Sequence, residues 1–160
     1  MKRVSLKKPT TQRTTMTKFD LSDNSYEITN QAEFANKYFM DIDFPEKSKF
    51  VSQVKQKISS YKRQDIDKDR YNEELFITLD QCVESIVASK MQCHYCKEHL
   101  YLFYKNVREP KQWTLDRIDN DLGHYQSNVV ISCLDCNLKR RRTNKDKFLF
   151  TKQLKLVKKD

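Results

Sequence analysis

Apolar residues recur at helical spacing in three stretches of the chain before Cys93. The first predicted helix starts at Asn30 and ends before Pro45. The second follows Ser48, and the third follows a capping box formed by Thr78 and Gln81. The apolar faces of these helices, with Cys82 on the third, are interpreted as core and are given no catalytic role.

The pattern changes at Cys93, where short apolar runs replace helical periodicity. Residues 100–104, 113–118 and 129–132 are predicted as strands, and Gly123 lies in the connection between the last two. A hairpin with a long loop is therefore expected. After Cys136 the pattern becomes helical again, and Thr143 with Asp146 predicts a capping box for a final basic helix. The predicted fold class is α+β.

Composition narrows the functional classes that fit this fold. The 160 residues contain a single glycine, which excludes the glycine-rich loops of nucleotide-binding folds. No apolar run approaches the roughly 18 to 20 residues that cross a bilayer, so we expect no membrane association. The formal charge of +9 favours a polyanionic partner such as DNA or RNA.

The positive charge lies at the two ends of the chain. Residues 1–18 carry +6 and residues 139–160 carry +8, whereas the residues between them are net acidic. We therefore predict four regions: a basic disordered arm (1–24), a helical region (25–90), a compact module (91–142) and a basic C-terminal helix (143–160). Residues 1–18 also resemble a transit peptide in composition, but they lack a regular amphipathic spacing.

Four of the five cysteines form two pairs, Cys93 with Cys96 and Cys133 with Cys136. Each pair has the spacing of a zinc knuckle, in which a tight turn directs two thiolates at one ion. A structural zinc site is thus predicted in place of disulfides, and it implies a reducing compartment, the cytoplasm or nucleus.

The residues around the knuckles resemble a known enzyme family. The runs 114–120, 123–125 and 128–130, followed by Cys133, Cys136, Asn137 and Lys139, are similar to the HNH endonucleases, also called ββα-metal or His-Me finger nucleases. The resemblance covers about residues 91–142 and is greatest to the zinc-knuckle members of phages and large DNA viruses. It implies hydrolysis of DNA phosphodiester bonds, and it adds a viral factory or virion to the compartments expected.

The resemblance implies a second, catalytic metal site. Asp116 and Asn137 correspond to the family's oxygen ligands for Mg²⁺ or Mn²⁺, which would polarise the scissile phosphate. Asn128 corresponds to the asparagine that braces the loop. The alternative is that Asp116, Asp119 and Asp121 merely cap turns, with Asn120 and Gly123 supplying left-handed backbone.

The chain departs from the family at the general base. Arg117 stands where the family has a histidine, and a guanidinium does not give up a proton at any relevant pH. His124 is the nearby group that titrates near neutrality, so it is the predicted replacement base. Tyr125 and Asp119 stay as alternatives.

A phosphate-binding surface is predicted beside this site. Its members are Arg117 and the basic run that follows the second knuckle, namely Lys139, Arg140, Arg141, Arg142 and Lys145. Two other functions stay open: a catalytically inactive zinc module that only binds DNA or RNA, in a viral nucleoprotein or transcription assembly, and a structural assembly protein whose basic tail binds an acidic partner. The sequence gives no oligomeric state.

Overall fold

The computed structural model describes residues 21–154, and the elements below are those of that range. Five helices and one two-stranded antiparallel sheet make an α+β fold, as predicted. In chain order the elements are α1 (Ile28–Phe39), α2 (Lys47–Asp67), α3 (Leu79–Ala88), β1 (Trp113–Arg117), β2 (Val129–Cys133), α4 (Leu134–Arg140) and α5 (Lys145–Gln153), with short 3-10 turns at Asp23–Tyr26 and Gln126–Asn128.

The three N-terminal helices are confirmed with small shifts of their ends. α1 ends before Pro45, and α2 covers the predicted periodic stretch and continues to Asp67. At the start of α3 the Thr78 side chain accepts from Gln81 N–H, and the Gln81 side chain accepts from Thr78 N–H. Cys82 is fully buried in the core, as expected.

The predicted strand at residues 100–104 is wrong. The segment makes one isolated bridge, between Tyr101 and Gln112, and is otherwise irregular. Its backbone is hydrogen-bonded instead by a side chain, because Gln31 of α1 accepts from the N–H groups of Leu102 and Phe103 and donates to the carbonyl of Phe103. A buried amide thus takes the place of a neighbouring strand.

The hairpin is confirmed, and its register determines which residues face α4. Trp113 pairs with Cys133 and Arg117 pairs with Val129, so the second knuckle continues directly from β2. Because side chains alternate along a strand, Thr114 and Asp116 share one face of β1. α4 lies against that face.

The opposite face of β1 packs on α2. The Trp113 indole donates to Gln53 Oε1 at 3.2 Å, and Leu115 N–H donates to the Tyr61 hydroxyl at 3.1 Å. Both Trp113 and Leu115 are buried. The helical region and the hairpin therefore share one continuous core.

The basic C-terminal helix is present, but its cap differs from the prediction. The N-cap is Asn144, whose Oδ1 accepts from the N–H groups of Asp146 and Lys147. Thr143 does not fill that role, because the chain enters α5 one residue later. The predicted arm up to residue 20 and the tail from residue 155 lie outside the described residues. The arm is predicted to end at residue 24, and the turn Asp23–Tyr26 begins one residue before that end.

Candidate metal centre and nucleic-acid interface

Four cysteine sulfurs come together beside the hairpin. The Sγ atoms of Cys93, Cys96, Cys133 and Cys136 all lie within 4.8 Å of one another. Cys96 Sγ and Cys133 Sγ are 3.9 Å apart. A tetrahedral site with Zn–S bonds of about 2.3 Å places its sulfurs about 3.8 Å apart. The cluster could therefore hold a metal ion such as zinc.

Backbone amides support the sulfurs. Cys93 Sγ accepts from the N–H groups of Tyr95 and Cys133, and Cys133 Sγ accepts from Cys136 N–H. The side-chain hydrogen bond with Cys133 lowers the pKa of Cys93, whereas burial raises the pKa of Cys136 to about 12. Four adjacent thiolates, three of them buried, need a cation to stay ionised together, which a divalent metal would supply.

His124 is fixed in the hairpin loop by a residue of α2. Its Nδ1 lies 2.7 Å from Asp65 Oδ1, and its backbone N–H donates to Asp65 Oδ2 at 2.7 Å. The Tyr61 ring lies over the imidazole, with 4.5 Å between ring centroids. The sequence predicted His124 as a functional residue but gave no sign of Asp65, which is 59 positions away.

The geometry fixes the tautomer of His124. Burial lowers the pKa of His124, although the Asp65 carboxylate acts in the opposite direction. An ionised carboxylate only accepts, so Nδ1 carries the proton and Nε2 keeps a lone pair. Among the described residues none hydrogen-bonds to Nε2. This is the protonation state that a general base requires, yet the residue is only 3% exposed.

Gly123 permits the approach of the loop to α2. A Cβ at this position would lie 2.5 Å from the Arg70 carbonyl and 2.8 Å from Asp65 Oδ2. Gly123 does not have a positive φ, so the alternative in which it supplies left-handed backbone is wrong. Its role is to leave room for the carboxylate that holds His124.

Asn128 braces the loop. Its Nδ2 donates to the carbonyls of Asp119 and Gly123, and its Oδ1 accepts from Asp119 N–H. The side chain is buried, so these bonds tie both ends of the loop to the start of β2. Asp119 in turn accepts from Asp121 N–H, which is the turn-capping role given as its alternative.

Asp116 does not present an open carboxylate. Its Oδ1 accepts from Arg140 Nη1 at 2.9 Å, and its Oδ2 accepts from the Tyr95 hydroxyl. The side chains of Asp116 and Arg140 are 4% and 1% exposed. Burial raises the pKa of Asp116, while the Tyr95 hydrogen bond and the Arg140 charge lower it.

Mg²⁺ or Mn²⁺ does not fit beside this ion pair. A divalent ion about 4 Å from a guanidinium would be repelled by about 8 kcal/mol at an effective dielectric constant of about 20. Asn137, the other predicted ligand, donates its Nδ2 to Thr114 Oγ1 at 3.0 Å and lies near the Leu115 carbonyl. The prediction that Asp116 and Asn137 jointly ligate a catalytic cation therefore disagrees with the geometry.

The predicted phosphate contact at Arg140 is also wrong. Besides Asp116, its guanidinium donates to the carbonyls of Arg117 and Ile118, and the side chain is buried. The buried guanidinium cannot reach a nucleic acid. Residues 139–142 therefore do not form four successive exposed cations, because the second of them, Arg140, is turned inward by α4.

Four other arginines border loop 119–124, and we call them the arginine rim: Arg70, Arg117, Arg141 and Arg142. Arg117 Nη1 donates to the carbonyls of Asn120 and Leu122. Arg142 Nη2 lies 2.8 Å from Asp121 Oδ1, and Arg70 Nη2 lies 3.8 Å from the same oxygen.

Arg141 completes the rim. It is exposed, and its carbonyl accepts from the Asn120 side chain. The rim has four cations against the exposed acids Asp119 and Asp121. Arg70 was missed by sequence reasoning because it belongs to the helical region.

The two lysines predicted as phosphate contacts lie near acids of their own helices. Lys139 is 2.9 Å from Asp135, and this hydrogen bond raises the pKa of the lysine. Lys145 is 3.8 Å from Asp146 and is partly buried. Either lysine can still contact a phosphate, but the neighbouring acid offsets its positive charge.

No protein-family model, curated protein or solved structure matches the chain. Among the described residues no helix is long and apolar enough to cross a membrane.

Proposed function

We propose that the protein is a zinc-stabilised module that binds DNA, or RNA, through the arginine rim. The observation that supports the proposal is the placement of four arginines, from three separate parts of the chain, around loop 119–124. Guanidinium groups pair bidentately with phosphate oxygens, and their contacts release condensed counterions. Basic segments at both ends of the chain add a longer-range attraction for a polyanion.

In this proposal the zinc ion is structural. Four thiolates complete its shell, so no position is left for substrate. The ion joins the turn at Cys93 to the start of α4, and α4 is followed at once by Arg141 and Arg142 of the rim. Zinc thus positions half of the rim without taking part in chemistry.

Binding can be tested with duplex and single-stranded oligonucleotides over a range of salt concentrations. Replacing Arg70 and Arg142 with Gln should weaken binding and reduce the slope of log K against log salt by about 1.4 to 1.8, since each lost phosphate contact is worth about 0.7 to 0.9. Arg108→Gln is the matched control, because Arg108 is exposed and lies outside the rim. An unchanged slope in the double variant would reject the rim as the phosphate contact.

A second candidate function is that of an HNH-type endonuclease, in which the protein itself cleaves a phosphodiester bond of the nucleic acid that it binds. The pairing of His124 with Asp65 favours it, because a neutral imidazole with an oriented Nε2 lone pair can take a proton from an attacking water. Asp65 would hold the tautomer, and the rim would bind the phosphate. No step is assigned to a metal at Asp116, since that carboxylate is paired with Arg140.

The two candidates differ in a plasmid assay. Cleavage predicts nicked or linear product that is lost in His124→Asn and reduced in Asp65→Asn, with binding retained in both variants. Binding alone predicts gel shifts with plasmid that stays supercoiled. The reaction should be run with and without Mg²⁺ or Mn²⁺, because the resemblance implies a divalent ion and the geometry does not provide its ligands.

A further inference from the structure

Three oxygen atoms converge on the guanidinium of Arg140 in the buried space between β1 and α4. They are Asp116 Oδ1 at 2.9 Å, the Arg117 carbonyl at 2.7 Å and the Ile118 carbonyl at 2.8 Å. One is a carboxylate and two are backbone carbonyls, a donor set typical of hard divalent cations. Here a side chain of the protein itself supplies the positive charge at their centre.

Both members of the Arg140–Asp116 ion pair are fixed in position, the arginine by α4 and the carboxylate by Tyr95. Arg140 is the last residue of α4, three positions after Asn137, and both side chains point to the Thr114 and Asp116 face of β1. The Tyr95 hydroxyl donates to the second oxygen of Asp116, which fixes the carboxylate toward Arg140. Arg140 is nearly inaccessible to solvent, so ions from solution do not readily displace its guanidinium from Asp116.

We propose that Arg140 is a built-in cation that occupies the position of a divalent ion at Asp116, so the module works without Mg²⁺ or Mn²⁺. The Arg140 guanidinium supplies the positive charge that a bound ion would otherwise provide, and the formation of α4 places it beside Asp116. Arg140 thus replaces the catalytic Mg²⁺ or Mn²⁺ that the resemblance to HNH endonucleases implies. Zinc at the cysteine cluster is then the metal that the module needs.

This proposal makes a prediction about the vacated space. In Arg140→Ala, Asp116 Oδ1 and the two carbonyls lose their partner but keep their backbone positions on β1. They should then take a hard cation. The wild-type protein should not bind one there, because the guanidinium already fills the space.

Terbium is a suitable probe, because it prefers oxygen ligands and its emission is excited through a nearby tyrosine. Tyr95 touches Asp116 and would report on this position. Terbium titrations of zinc-loaded full-length protein would compare wild type, Asp116→Asn, Arg140→Ala and the double variant, with zinc content and Trp113 fluorescence as checks of folding.

Wild type and Asp116→Asn are expected to give equal emission. Arg140→Ala should give an emission several times higher, which returns to the wild-type level in the double variant. Saturable wild-type emission that Asp116→Asn removes would overturn the proposal, and so would a folded Arg140→Ala protein with no gain. If Arg140→Ala does not fold, the comparison of wild type with Asp116→Asn decides alone. No nucleic acid is present, so the outcome is independent of the proposed function.

Discussion

Replacing Arg140 with Met tests the buried ion pair directly. Met keeps the length of the side chain but removes its charge and its donors. The Asp116 carboxylate would stay buried with Tyr95 as its remaining partner, and the carbonyls of Arg117 and Ile118 would lose theirs. Breaking a buried pair in this way costs about 3–5 kcal/mol. Domains of this size have about 5–15 kcal/mol of stability, so the variant should lose about a fifth of it or more.

A double-mutant cycle separates this interaction from the general effect of mutation. Asp116→Asn removes the negative charge and should also destabilise the protein by about 3 kcal/mol, because the guanidinium keeps only carbonyl partners. The double variant buries neither charge, so its loss should fall short of the sum of the single losses by about 2 kcal/mol or more.

The measurement is urea unfolding followed by the fluorescence of Trp113, the one tryptophan of the chain, which is buried against α2. Arg142→Met is the control. It removes a similar pair with Asp121, but Arg142 is 70% exposed, so the loss should be within about 1 kcal/mol. The reasoning would be refuted if Arg140→Met cost no more than Arg142→Met, or if the cycle were additive.

Three further predictions concern the zinc cluster and the His124 loop. Removing zinc with a strong chelator should unfold the protein, since structural zinc sites contribute about 10–16 kcal/mol. Elemental analysis should find one zinc per chain before treatment, and Trp113 fluorescence should show that the indole becomes exposed after it. Because burial lowers the pKa of His124, the contribution of this residue to stability is complete above about pH 6.5 and should be lost as the pH falls below that value. His124→Asn should therefore reduce the pH dependence of the unfolding free energy in this range by up to about 1.4 kcal/mol per pH unit. An unchanged slope would contradict a buried neutral imidazole. Gly123→Ala should lower the unfolding free energy by about 1–3 kcal/mol, because its Cβ would push the loop away from Asp65 and Arg70. Ser127→Ala, at an exposed position, is the control and should leave the urea midpoint nearly unchanged. Equal midpoints for the two variants would argue against the close approach at Gly123.

Local sequence signals predicted the elements that depend on local chemistry. The capping box at Thr78, the helical apolar stripes and the spacing of the cysteine pairs each involve residues a few positions apart, and each is present in the fold. The irregular segment at 100–104 shows where such signals end. Its apolar run reads as a strand, but Gln31, about seventy positions earlier, supplies the hydrogen bonds that a neighbouring strand would have supplied.

The candidate site divides in the same way. His124, Asn128 and the cysteines were identified from motifs, whereas Asp65 and Arg70 come from α2 and the turn after it, and no spacing connects them to the hairpin. Arg140 shows a different limit. In a run of four basic residues, composition does not tell which one turns inward, because that depends on the angle at which α4 crosses β1.

The helices before residue 91 contribute side chains to the interior of the module that carries the cysteine cluster, so dividing the chain at that point would remove part of the module's support. Gln31, Gln53, Tyr61 and Asp65 each hydrogen-bond to a residue beyond position 100. A fragment that begins at residue 91 would retain the four cysteines of the cluster and the residues that resemble nucleases, but it would expose the Trp113 indole and release the His124 loop. Such a fragment would keep the cysteine cluster but lose the support that α2 gives to the proposed nucleic-acid surface, so the helices and the hairpin should be studied together.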